Sequence, residues 1–186
     1  MTIASSKHLM TSELEAGLEE ISRAPKDNGV LELIVCRPVV GERELLEVGK
    51  LDPAEGLVGD SWRRRYGERT PNADVQLTLM NARVTALVAQ DRSRWPLAGD
   101  QLYVDLDLSD ENLPAGTRLA IGSAVIEVSA QPHTGCAKFV ERFGLDAMNF
   151  VNGSVGRAMH LRGINAKVVQ PGTIRVGDRA TKLSRA

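Results

Sequence analysis

Residues 131–144 read QPHTGCAKFVERFG, and this stretch carries the clearest indications of both fold and chemistry. The residues before it, 124–129, alternate between large apolar and small or polar side chains, which predicts a β-strand. Pro132 and Gly135 then break the extended pattern, and apolar residues recur at helical spacing after Cys136. The sequence therefore predicts a strand, a turn and a helix that begins just after Cys136.

This arrangement favours a reactive thiol. The free N–H groups and the dipole at the start of a helix stabilise a thiolate. Lys138 and Arg142 add positive charge nearby, and His133 can exchange a proton with the site. A buried cysteine that behaves as a small apolar side chain is the alternative interpretation of Cys136.

The composition limits the possible partners. The chain has 186 residues with 23 basic and 24 acidic side chains, a net charge of −1, so it predicts one domain and no affinity for nucleic acid or an anionic membrane. Seventeen glycines and eight prolines indicate many turns, as in a β-rich fold. Neither a signal peptide nor a membrane span is visible, which predicts a reduced, cytoplasmic protein.

Few side chains are available as metal ligands. The cysteines are Cys36 and Cys136, the histidines are His8, His133 and His160, and there is no Cys-x-x-Cys pair. These numbers argue against a closed zinc site built by the chain alone. His160 has no apparent partner in the sequence and is interpreted as an ordinary histidine.

The pattern along the chain predicts a mainly β fold, a closed β-barrel with a few short helices. Residues 1–10 resemble a loose tail, and residues 12–15 have the spacing of a capping box before an amphipathic helix over about 13–23. We expect that helix to pack on the barrel or on a second subunit. The predicted division is a tail and helix over 1–29, a barrel over 30–180 and a tail over 181–186.

Short strands follow at roughly ten-residue spacing. Residues 30–38 predict a buried strand that holds Cys36, and residues 41–51 predict an extended segment with Leu45, Leu46 and Val48 directed inward. Asn81 is placed to cap a helix after the strand at residues 75–80.

A cluster of arginines follows a glycine-bracketed bend at residues 55–60. Arg63, Arg64 and Arg65 offer planar donors that suit phosphate or carboxylate. A solvated surface run of arginines is the alternative. The bend is not a phosphate-binding P-loop, because no Gly-Lys-Ser/Thr follows it.

In their order and spacing, these segments resemble the MOSC domain family, named for the C-terminal domain of molybdenum-cofactor sulfurase. The resemblance extends over about residues 30–180. The segments that carry it are residues 55–60, 75–80, 98–104, 113–122, 132–139, 162–166 and 172–178.

The resemblance implies a MOSC barrel of the pyruvate-kinase-barrel-like type and one important cysteine. In the family that cysteine is thought to carry sulfur as a persulfide or to bind the molybdenum of a pterin cofactor. Cys136 matches it, as catalytic residue and metal ligand, and His133 beside it is a second catalytic candidate. Lys138 and Arg63–Arg65 are candidate contacts to the cofactor's anionic group. Many members have an arginine and a second proline where this chain has His133, Thr134 and Gly135, which indicates a subgroup variant.

The resemblance also concerns partners. The pyridoxal-phosphate-dependent desulfurase domain of the sulfurase cannot fit in this length, so pyridoxal phosphate is not expected here. A cysteine desulfurase or an electron-transfer partner would supply sulfur or electrons. Three hypotheses follow. The first is a molybdenum-cofactor protein whose Cys136 ligates molybdenum or transfers sulfur to it, with N-hydroxylated compounds as the substrates if it is a reductase. The others are a sulfur carrier without catalysis and a scaffold with an inert Cys136.

Overall fold

Strands dominate the computed structural model, which describes residues 7–183. The strands in that range are β1 Gly29–Cys36, β2 Glu44–Leu46, β3 Val48–Asp52, β4 Gly56–Leu57, β5 Leu77–Asn81, β6 Leu102–Asp105, β7 Arg118–Ile121, β8 Ala124–Val128, β9 Ile164–Gln170, β10 Gly172–Arg175 and β11 Arg179–Lys182. The α-helices are α1 Thr11–Ala16, α2 Leu18–Ser22, α3 Ala82–Ala89, α4 Ala137–Phe143, α5 Leu145–Asn152 and α6 Ser154–Ala158. Three 3₁₀ segments occupy Arg63–Tyr66, Ala73–Val75 and Arg92–Ala98.

Seven of these strands close into a barrel in the order β1-β6-β5-β9-β8-β7-β11. Closure is made by β11, because Ala180 pairs with Gly29 and Arg179 pairs with Val30 of β1. The β5–β6 pair is parallel, and the other pairs around the barrel are antiparallel. The mainly β prediction, with a closed barrel and a few short helices, is confirmed.

Two short additions flank the barrel. Strand β2 extends the sheet beyond β1, and β3, β4 and β10 form a separate three-stranded sheet. The inward orientation predicted for Leu45 and Val48 is wrong, since their exposed fractions are 62% and 43%. The neighbours Gly49 and Leu51 are buried instead, because side chains alternate along a strand and the predicted register was one residue out.

Apolar side chains fill the barrel interior and a second core outside it. The interior includes Leu31, Leu79, Leu102, Ile126 and Ile164, together with Cys36, which is buried as predicted. The second core lies between the barrel wall and the helices and joins side chains of α1, α3, α4 and α5, including Leu14, Val84, Phe139 and Val151.

The N-terminal helix differs in detail from its prediction. Helices α1 and α2 replace the single helix, with Gly17 between them, and they pack on α5 and α3 of the same chain. The capping box lies two residues earlier than predicted: the Met10 N–H donates to the Glu13 carboxylate at 2.7 Å. The predicted tails lie partly outside the described residues, and β11 extends to Lys182.

The other predicted helix starts are confirmed. Asn81 caps α3 by accepting hydrogen bonds from the backbone N–H groups of Arg83 and Val84 at 2.8 and 3.4 Å. Helix α4 begins at Ala137, directly after Cys136. Between residues 7 and 183, no helix has the length and apolar character needed to cross a membrane.

Candidate active site

Strand pairing brings three loops of the barrel close together. Leu79 in β5 pairs with Ile164 at the start of β9 and with Leu102 at the start of β6, so these two strands begin opposite the same residue, on either side of β5. Val128 at the end of β8 pairs with Ala166 of β9. The loops before β6, before β9 and after β8 are therefore neighbours, although they are far apart in the sequence.

Each of these loops contributes one side chain to a buried polar triad of Asp100, Arg162 and His133. The Asp100 carboxylate has no solvent-exposed surface. Its Oδ1 lies 2.8 Å from His133 Nε2, and its Oδ2 accepts a hydrogen bond from Arg162 Nη1 at 2.7 Å. Arg162 Nη2 also donates to the carbonyl of Ala98 at 3.0 Å, which fixes the guanidinium.

The triad holds its protons in a defined arrangement. Burial by itself raises the pKa of Asp100, but attraction to Arg162 and His133 outweighs it and lowers the pKa to about 2. Burial lowers the pKa of His133 below its ordinary value, against the attraction of Asp100. At neutral pH, His133 is therefore neutral beside an ionised carboxylate. Its Nε2 carries the proton that is donated to Asp100, and its Nδ1 keeps a lone pair.

Arg162 connects the triad to the helix that follows the cysteine. Its guanidinium carbon lies 5.2 Å from the ring centre of Phe139 in the first turn of α4, a cation–π contact. At the other end of α4, Arg142 Nη1 donates to the carbonyl of Leu97 at 2.6 Å. Helix α4 is thus held at its first turn by Arg162 and at its last turn by the segment just before Asp100.

Cys136 is exposed and stands directly before this helix. Its backbone is extended, with φ −129° and ψ 179°, and its side chain makes no capping hydrogen bond. The preceding residue is anchored, since the Gly135 N–H donates to Asn152 Oδ1 at 3.0 Å. The thiol is therefore displayed on a fixed backbone and is open to a reactant or a partner.

Cys36 has the opposite surroundings. It is buried at the end of β1, and burial raises the pKa of its thiol, with a smaller effect in the same direction from the negative charge of Asp60. Both changes disfavour the thiolate, so Cys36 is a structural residue.

An arginine-lined cavity of about 520 Å³ opens beside the triad, and we call it the arginine cavity. His133 and Thr134 contribute to its wall. The remaining lining residues are Arg37, Trp62, Arg65, Tyr66, Arg69, Val75, Thr78, Pro132 and Asn165. The side chains combine positive charge with two aromatic rings, a lining that suits a flat molecule with an anionic group.

The three arginines of this cavity differ in how strongly they are already paired. Arg37 is held by Asp60, with Nε–Oδ2 and Nη2–Oδ1 distances of 2.9 and 3.1 Å, and it also donates to the Gly99 carbonyl. Arg65 is half-exposed and lies 3.9 Å from Asp60. Arg69 makes only long hydrogen bonds of 3.4 Å to backbone carbonyls. Arg65 and Arg69 are therefore the more available donors for an anion.

The structure separates the predicted cofactor contacts. Of the candidates, Arg65 lines the arginine cavity, and Arg63, Arg64 and Lys138 do not. Arg63 donates to the backbone carbonyl of Gly67, and Arg64 donates to the backbone carbonyls of Pro38 and Gly59. Lys138 is exposed, and within residues 7–183 it has no hydrogen-bond or ion-pair partner.

Four residues of the site had no role assigned from the sequence: Asp100, Arg162, Arg37 and Arg69. Asp100 and Arg162 lie in segments that carry the family resemblance, and that resemblance could have identified them as candidate site residues. Asp60 caps a turn as expected of an Asp after Gly, since Oδ1 accepts from the Trp62 N–H at 2.9 Å. His160, for which no partner was apparent, has one: its Nδ1 lies 2.7 Å from the Leu108 carbonyl oxygen.

The described residues contain no group of three or more His, Cys, Asp or Glu side chains that could hold a metal ion. Any metal bound at Cys136 would need most of its ligands from another molecule, such as a cofactor.

A family model described as the MOSC domain matches residues 60–181, more than half of the chain. The chain therefore belongs to the MOSC domain family. None of the curated proteins matches it.

Solved structures share the fold at low sequence identity. The YUAD protein from Bacillus subtilis is 16% identical, with a TM-score of 0.63 over 86% of this chain and 97% of that one. YiiM from Escherichia coli is 20% identical, with a TM-score of 0.56 over 84% of this chain and 71% of that one. YiiM from Geobacillus stearothermophilus is 15% identical, with a TM-score of 0.54 over 86% and 74%. At these identities the likeness concerns the fold.

Proposed function

We propose that this protein binds molybdenum cofactor, or handles sulfur for it, through the thiol of Cys136. The observation that carries the proposal is the exposed thiol on the fixed backbone before α4, in a family linked to sulfur handling for this cofactor. A thiolate is the soft ligand that suits molybdenum and is also the nucleophile of sulfur transfer. The reaction class is cofactor-dependent oxidoreduction, with N-hydroxylated compounds as substrates, or sulfur transfer.

The residues present fit a pterin cofactor in charge and shape. Arg65 and Arg69 have donors available for a phosphate group, and the ring of Tyr66 provides flat apolar surface in the same cavity, whereas Trp62 is buried. When bound, molybdenum cofactor supplies a metal centre that exchanges electrons with a substrate. Arg65 is the predicted cofactor contact that this proposal keeps, and Arg69 is added to it.

His133 is proposed as the proton-transfer residue of the site. Its ring is fixed by Asp100, its Nδ1 lone pair is unpaired in the described residues, and it lines the arginine cavity. A neutral imidazole with one free nitrogen can accept a proton from a thiol or a bound substrate and return it later.

A sulfur carrier without catalysis is the second candidate. Cys136 is not among the lining residues of the arginine cavity and is open to another protein. In that role its thiolate attacks the outer sulfur of a donor cysteine persulfide. The S–S bond of the donor breaks, the donor thiolate leaves, and Cys136 carries the sulfur to an acceptor. A cysteine desulfurase is the proposed donor, and pyridoxal phosphate belongs to that partner.

The test is the molybdenum content and the intact mass of protein purified from cells that make molybdopterin, alongside Cys136→Ala. Near-stoichiometric molybdenum that is lost in Cys136→Ala would support cofactor binding. Metal-free protein with a reducible addition of one sulfur on Cys136 would support the carrier role. If neither is found, even after a desulfurase or the cofactor is added, the proposal is wrong and Cys136 is inert.

A further inference from the structure

Residues 132–134 also line a second cavity of about 440 Å³, which we call the α6 cavity. Its other lining residues are Val151, Asn152, Gly156, Arg157, His160 and Arg162. None of these described lining residues is Asp or Glu. The cavity is of a size that holds a small organic molecule, and its wall combines apolar and basic side chains.

Arg157 is oriented by the scaffold but is not neutralised by it. Its Nε donates to the Asn152 carbonyl at 2.6 Å, and its terminal nitrogens have no partner among residues 7–183. A guanidinium held in this way presents two parallel donors, the geometry that binds carboxylate or phosphate.

The two histidines of the cavity are anchored in the same manner, each through one ring nitrogen. His160 Nδ1 lies 2.7 Å from the Leu108 carbonyl, which can only accept, so Nδ1 carries the hydrogen and Nε2 has the lone pair in the neutral ring. His133 is bound at Nε2 by Asp100, which leaves Nδ1. His160 adopts φ +48°, in the left-handed region, where histidine occurs more often than most other non-glycine residues.

We propose that the α6 cavity binds a small organic oxyanion that also carries an O–H or N–H group. The oxyanion pairs with Arg157, the O–H or N–H group donates to the free nitrogen of His133 or His160, and Pro132 and Val151 cover the apolar part. The role of this molecule as the second reactant of the Cys136 site rests on the proposed function, whereas its binding does not.

The test uses the full chain without cofactor and two probes, benzoate and 4-hydroxybenzoate. Calorimetric titration should show tighter binding of 4-hydroxybenzoate, because benzoate lacks the O–H donor. Arg157→Gln should weaken both probes about tenfold, as the loss of a charge-assisted hydrogen bond predicts. Arg175→Gln, at an exposed arginine that lines neither cavity, should leave both affinities unchanged. His160→Asn tolerates the same backbone conformation and should reduce the difference between the probes.

Two results would overturn the proposal: no saturable binding of either probe, or binding that Arg157→Gln weakens no more than Arg175→Gln does. Cys136→Ala should bind both probes as the wild type does. If protein from molybdopterin-producing cells carries neither molybdenum nor a persulfide, the proposed function is wrong, and binding of 4-hydroxybenzoate through Arg157 would still support this site.

Discussion

At the scale of single residues, the two cysteines differ in their surroundings. Cys136 is exposed before α4, whereas Cys36 lies in the barrel interior at the end of β1. The pKa of Cys36 is raised chiefly by burial. Burial therefore both blocks access to Cys36 and disfavours its thiolate, which leaves Cys136 as the accessible thiol.

We expect a thiol reagent to modify Cys136 of the native protein rapidly and to modify Cys36 only when the barrel opens. Absorbance of the released chromophore measures both rates. Cys136→Ser should abolish the fast phase, and Cys36→Ser should retain it. A fast phase that persists in Cys136→Ser would contradict this assignment.

The buried carboxylate of Asp100 should contribute strongly to stability because it neutralises Arg162. Asp100→Asn leaves that guanidinium buried without a counter-charge, so we expect a loss of about 3–5 kcal/mol in the free energy of unfolding. Urea denaturation measures it. Glu19→Gln removes an exposed partner of Arg23 and should cost at most about 1 kcal/mol. Equal losses in the two variants would show that burial of the Asp100–Arg162 pair does not increase its contribution to the free energy of unfolding.

His133 should make stability depend on pH. Its pKa in the folded protein is below the ordinary 6.5, so on acidification the unfolded chain takes up the proton first and stability falls. We expect the free energy of unfolding of the wild type to fall as the pH drops below about 6.5. In His133→Gln that decrease should be smaller.

Urea denaturation between pH 8 and pH 5 tests this, and pH 8, where the histidine is neutral in both states, is the internal reference. The contribution of Asp100 is present above pH 4 and is lost only as the pH falls toward 2, so it does not overlap this range. An unchanged pH dependence in His133→Gln would rule out the buried neutral histidine.

At the scale of elements, the turn into β9 brings the triad together. Gly163 adopts φ +108°, and a Cβ at this position would lie 2.2 Å from the carbonyl oxygen of Leu79 and 3.3 Å from His133 Cδ2. Only glycine allows β9 to begin this close to β5, and this close approach sets Arg162 next to Asp100.

Gly163→Ala should therefore be more costly than an alanine at Gly41, which has φ +92° and open space around its Cα. Gly41→Ala should cost on the order of 1 kcal/mol for the backbone conformation alone. Gly163→Ala should cost roughly 1–3 kcal/mol more, because the new methyl group displaces backbone. Thermal unfolding compares the two variants, and similar losses would show that the close approach is relaxed easily.

At the scale of the whole molecule, two apolar cores share the barrel wall. The interior is closed by β11, and the outer core joins α1 to α3, α4 and α5. Arg83 in α3 also binds Glu20 of α2 at 2.8 Å. The N-terminal helices are therefore part of the folded unit that supports α4 and Cys136.

Leu14→Ala should destabilise the whole molecule by about 2–5 kcal/mol, because Leu14 is fully buried in the outer core. Met10→Ala, at a position that is 58% exposed, should change stability by less than about 0.5 kcal/mol. A single cooperative unfolding transition in both variants, followed by circular dichroism, is expected. A separate early transition in Leu14→Ala would show that the helices unfold independently.

Local sequence patterns were enough to predict the strand before Pro132, the helix after Cys136 and the Asn81 cap, and the regular spacing of short strands in the sequence was enough to predict the closed β-barrel. These features depend on side-chain periodicity and on residues with strong conformational preferences, which neighbouring residues reveal. The same patterns did not determine the register at residues 41–51, where a one-residue shift reverses inside and outside.

The contacts among the polar side chains depend on how distant segments fold together. Asp100, His133 and Arg162 are brought together by strand pairing between segments tens of residues apart. An ion pair at that distance leaves no local pattern, because its energy depends on burial and on distances that the closed barrel alone fixes. For the same reason, the side chains of Arg63–Arg65 have different surroundings although they are adjacent in the sequence. Of the three, only Arg65 lines the arginine cavity beside His133.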